Sequence, residues 1–61
     1  MTDADKIEAL LDLVDPERAQ QAERSGQLVV LGLAERKGKA IWPTQAGWNL
    51  LGDRGRPFAG R

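Results

Sequence analysis

Neither cysteine nor histidine occurs anywhere in the 61 residues. A chain this short hides only about 60% of its unfolded surface on folding, so its core is thin and is commonly reinforced by a disulfide, a metal or a second subunit. Without thiols or imidazoles the first two routes close, and self-association is the expected remedy, with a homodimer as its simplest form. The same absence removes thiol and imidazole nucleophiles, histidine general bases, zinc sites and redox motifs. What remains for acid-base work is surface Asp and Glu, which is poor equipment for catalysis. A non-enzymatic binding protein without cofactor or metal is therefore expected.

The formal net charge is zero, but it is split along the chain. From Met1 to Glu23, seven acidic residues (Asp3, Asp5, Glu8, Asp12, Asp15, Glu17 and Glu23) stand against Lys6 and Arg18, a net of −5. From Arg24 to Arg61, seven basic residues (Arg24, Arg36, Lys37, Lys39, Arg54, Arg56 and Arg61) stand against Glu35 and Asp53, a net of +5. Such polarity suits an anionic partner on one face or head-to-tail pairing of copies. No apolar run approaches the about 20 residues needed to cross a bilayer, and the first residues are acidic rather than a basic leader. A soluble, cytoplasmic protein is expected.

Along the chain, Thr2 and Asp5 have the spacing of a capping box, and Ile7, Leu10, Leu11 and Val14 follow at i, i+3, i+4 and i+7. The first helix is predicted over residues 3–14. Asp15-Pro16 has the form of an N-cap followed by proline at the first helical position, which predicts a second helix starting at once. Ala19, Ala22, Gly26, Val29, Val30 and Leu33 continue at helical spacing, and Gly32 stops the helix after Leu31. Gly26 leaves a second option open: it could end the helix and leave residues 27–31 as a strand, given the β-branched Val29-Val30 pair. Residues 33–36 and 40–42, parted by Lys37-Gly38-Lys39, predict a hairpin with a basic tip. Pro43 ends its second strand, Thr44 caps a helix carrying Trp48, Leu50 and Leu51, and Gly52 closes it. Trp42 and Trp48 are expected to pack together as core.

The predicted class is therefore mainly α with one two-stranded β-hairpin (α+β), in the order helix-helix-hairpin-helix. Residues 1–52 are expected to form a single domain. Residues 53–61, rich in Gly and Arg with only Phe58 to bury, are expected to be a mobile basic tail.

The stretch Leu31-Gly32-Leu33-Ala34-Glu35-Arg36, the Lys37-Gly38-Lys39 tip and Trp42-Pro43-Thr44-Gln45-Ala46-Gly47-Trp48 resemble the second half of a winged-helix domain of the MarR and PadR regulators. The likeness covers about half the chain and implies a reduced winged helix, since only two helices precede the hairpin. It implies a small DNA-binding regulator in which the second helix reads double-stranded DNA with Arg18, Gln20, Gln21, Arg24 and Gln27. Arg36, Lys37 and Lys39 of the wing, with Arg54 and Arg56 of the tail, would contact phosphates. Glu17, Glu23 and the acidic first helix oppose that partner. The alternative is a protein-protein interaction module on the truncated scaffold, self-associating or bound to a larger protein.

Overall fold

The computed structural model describes residues 1–59, and its elements run α1 (Asp3–Val14), α2 (Ala22–Val30), β1 (Ala34–Lys37), β2 (Ala40–Pro43), α3 (Gln45–Leu51) and a closing 3-10 helix (Gly52–Phe58). This is the expected α+β arrangement of helix, helix, hairpin and helix. The first helix has its predicted bounds. The Asp5 backbone N–H donates to the Thr2 hydroxyl at 3.1 Å, and the Thr2 N–H donates to the Asp5 carboxylate at 3.2 Å, which closes the capping box. α1 is the central element, touching α2, β2, α3 and the 3-10 helix. Its buried face is accordingly wider than one stripe: Ala9 and Leu13 join Leu10, Leu11 and Val14 in the core, with Ile7 at the edge. Leu28 of α2, Ala34 of β1 and Leu51 of α3 complete the buried cluster.

The second helix departs from the sequence expectation. It begins at Ala22 rather than at Pro16, and residues 15–21 form a connector. The Asp15 carboxylate does accept a backbone N–H, from Glu17 at 2.9 Å, and the Asp15 carbonyl accepts from Arg18 at 3.1 Å, but this makes a single turn that does not propagate. Proline holds the preceding Asp15 extended, and a helix continuing directly from α1 would leave no chain with which to bring Leu28 back against Leu10. Of the residues at helical spacing, Ala19 lies outside α2 in consequence, and both Ala19 and Ala22 are exposed. Gly26 does not interrupt the helix, and the strand option over residues 27–31 is not realised.

Gly32, at φ 77°, stops α2. Its N–H donates to the Val29 carbonyl at 3.1 Å, and the N–H of Leu33 donates to Leu28 at 2.9 Å, the paired bonds of a Schellman ending. The hairpin pairs Ala34 with Pro43, Glu35 with Trp42, Arg36 with Ile41 and Lys37 with Ala40. Gly38 has φ 62° while Lys39 keeps a negative φ, the pattern of a type II′ turn. Thr44 then ties three elements together. Its hydroxyl donates to the Gly32 carbonyl at 2.7 Å and accepts from the Gly47 N–H at 3.3 Å, and its own N–H donates to Leu33 at 3.0 Å. Trp42 and Trp48 meet edge to face at 5.9 Å, the pairing the sequence predicts, though both are half-buried against the core rather than within it.

The segment after Gly52 differs from a tail with nothing to hold it. Its 3-10 helix packs on α3 and α1, Gly55 is buried where a Cβ would lie 2.9 Å from the Leu51 side chain, and Phe58 packs against the core. The end of the expected tail, including Arg61, lies outside the described residues. Among the described residues, no helix is long and apolar enough to cross a membrane.

Candidate functional site

The candidate DNA-reading residues do not form one surface. Arg18, in the connector, turns back onto α1, where its guanidinium lies 2.7 Å from Glu8, 3.5 Å from Asp12 and 3.6 Å from Asp15. Arg24, in the first turn of α2, lies 3.6 Å from Asp12 and donates to the Asp5 carbonyl at 3.2 Å. Arg54 of the 3-10 helix reaches the other Glu8 oxygen at 3.1 Å. The acidic face of α1 therefore gathers two of the arginines expected to read bases, Arg18 and Arg24, and one expected to contact phosphate, Arg54.

Electrostatics follow from these contacts. The hydrogen bond from Arg18, and then that from Arg54, hold the Glu8 carboxyl below its usual range, while the Glu8 carboxylate raises the Arg18 guanidinium. The capping bonds to Thr2 lower Asp5 in the same way. All three groups stand in solvent, so these pairs orient side chains more than they stabilise the fold.

Of the remaining candidates, Gln20 and Gln21 lie exposed in the connector. Lys37 lies 3.3 Å from Glu35 on the same strand, and Arg56 lies 3.6 Å from Asp53. Arg36 and Lys39 are exposed and make no ion pair among the described residues. Gln27 alone of the reading set sits on the outward face of α2.

What surrounds Gln27 is apolar. Val30 is 87% exposed, Leu31 50% and Met1 45%, and with Glu23, Gly26 and Gln27 they line an open groove of about 560 Å³. Val30 continues the helical spacing of apolar residues in the sequence, yet it faces outward. The signal was present in Val29-Val30-Leu31: three consecutive apolar residues sweep about 200° of helix and cannot all face inward. A second overlooked signal is the spacing of Asp5, Glu8, Asp12 and Asp15, an acidic stripe on α1 that calls for cations beside it.

Among the described residues, no group of Asp and Glu is placed to hold a metal ion. The chain matches no protein-family model, no curated protein and no solved structure.

Proposed function

We propose that this chain is a non-catalytic protein-interaction module on a reduced winged-helix-like scaffold, and that it presents the outward face of α2 to another protein chain. The observation that carries this reading is the exposure of Val30 and Leu31 beside Met1 on the helix just ahead of the hairpin. Winged-helix domains use that position to read bases, which requires donors, acceptors and cations pointing outward. Here the outward face offers aliphatic carbon, one amide and one carboxylate, while Arg18 and Arg24 are held by Glu8, Asp12 and Asp15. Contiguous exposed apolar surface of this kind marks sites of protein association.

Binding of duplex DNA through the wing is the second reading, favoured by Arg36 and Lys39 standing exposed without ion pairs among the described residues. Two phosphate contacts give a salt slope of only about −2, little for an independent DNA-binding domain. Titrating a fluorescent mixed-sequence duplex at low and physiological salt separates the readings. The interaction module is expected to show no saturable binding up to about 100 µM protein at physiological salt. Saturable micromolar binding that falls steeply with salt, and that disappears in an Arg36→Glu, Lys39→Glu variant, would establish the DNA reading instead.

A further inference from the structure

Resting on that reading of the outward α2 face, we infer that its partner is a second copy of this chain, with the two α2 helices crossing antiparallel about a two-fold axis at Gly26 and Gln27. Glu23, Gly26, Gln27, Val30 and Leu31 are spaced i, i+3, i+4, i+7 and i+8, so they form one straight stripe along the helix. Gly26 is a notch in it. A Cβ there would meet nothing within 4 Å among the described residues, which leave the space beside the helix backbone open to a second helix.

The stripe is complementary to itself. A two-fold axis between positions 26 and 27 sets Gly26 of each copy against Gln27 of the other, a side chain facing a notch, and sets Glu23 against Val30. Gln27 lies next to its own counterpart, and an amide, carrying both donor and acceptor, can pair with its copy where a lysine or glutamate could not. Charge selects the direction. Among the described residues, Glu23 is the only charged side chain lining the groove. Parallel helices would bring the two carboxylates face to face, whereas the antiparallel arrangement separates them by about 10 Å along the axis, roughly one Debye length at physiological salt. The antiparallel pair also sets the helix dipoles in opposition. Six residues line the groove, against the roughly 20 to 30 that each partner contributes to a standard stable interface, so the dimer is reversible.

Two measurements test this. Sedimentation velocity between about 10 µM and about 1 mM, the range in which sub-standard interfaces associate, is expected to show a monomer–dimer equilibrium. Val30→Lys, at a position almost wholly in solvent, is expected to keep the native melting curve and weaken association by about tenfold or more. Because the chain has no cysteine, single-cysteine variants report geometry unambiguously. Gln27→Cys is expected to form a disulfide-linked dimer on mild oxidation at least about tenfold faster than Asn49→Cys on the exposed part of α3, since proximity raises the effective thiol concentration. Glu23→Cys is expected to stay monomeric alone and to cross-link when mixed with Val30→Cys. Fast self-linking of Glu23→Cys would overturn the antiparallel geometry. A protein that stays monomeric to about 1 mM, or a dimer indifferent to Val30→Lys, would overturn the second copy as the occupant. Neither result bears on the interaction reading itself, which the DNA titration judges separately.

Discussion

Arg18 Nη1 lies 2.7 Å from Glu8 Oε2, joining the connector between α1 and α2 to α1 across ten positions of sequence. The other Glu8 oxygen takes Arg54 at 3.1 Å, so one carboxylate holds both the connector and the C-terminal 3-10 helix. The pairing decides where two arginines point and, with Arg24 beside Asp12, leaves no Lys or Arg side chain among the described residues lining the groove on the outward face of α2.

A pH dependence follows. Glu8 and Asp5 both have folded-state pKa values below their ordinary ones, by the arginine hydrogen bonds and the Thr2 cap respectively. A lowered folded pKa contributes stability above the unfolded pKa and loses it as pH falls through the folded one. Thermal melts at low salt are expected to be flat through neutral pH and to decline below about pH 5. Glu8→Gln is expected to melt lower at neutral pH and to decline less steeply in acid, and a profile identical to the native one would remove Glu8 from the account.

Gly26→Ala is expected to stabilise the monomer by about 0.5 to 1 kcal/mol, because alanine is the better helix former and a Cβ here meets nothing within 4 Å. Urea denaturation at low protein concentration measures it. A loss of stability would mean that the groove beside Gly26 is closed in the isolated chain.

The opposite holds at Gly47. A Cβ there would lie 2.1 Å from the Leu33 carbonyl oxygen, a backbone atom that cannot step aside, and within 3.2 Å of Pro43 and Leu10 side-chain atoms. Gly47→Ala is expected to cost about 2 kcal/mol or more, by overpacking the place where α3 meets the Leu33 backbone between α2 and β1 and the Leu10 side chain of α1. Native stability would show that α3 does not pack this closely.

Much of the frame was legible because its determinants are local. The Thr2 and Asp5 box, the Gly32 stop, the Gly38 turn and the Thr44 cap each lie within a few residues of what they control. The start of α2 was not legible for the converse reason. Asp15-Pro16 is a valid local start, overridden by the need to return Leu28 to Leu10 and by the pull of Glu8 and Asp12 on Arg18. The order of residues 52–58 depends on their packing against α1 and on Arg54 reaching Glu8 across 46 positions of sequence, contacts that only the folded chain creates. The candidate DNA-reading residues could be chosen by type, but their direction was set by α1.

Thr44 offers a check on the frame. Its hydroxyl both donates to Gly32 and caps α3, so Thr44→Val is expected to cost about 1 to 2 kcal/mol and Thr44→Ser to recover most of it, in chemical denaturation. Equal losses in the two variants would assign the effect to the methyl group rather than the hydroxyl.

The most direct test of the α2 face as the surface on which two copies meet is the amide NMR spectrum of isotope-labelled protein recorded from about 20 µM to about 1 mM. Concentration-dependent shifts are expected at Glu23, Gly26, Gln27, Val30 and Leu31, with the hairpin tip from Lys37 to Ala40 unmoved. Shifts centred on the hairpin tip or on the acidic face of α1, with α2 silent, would contradict the account.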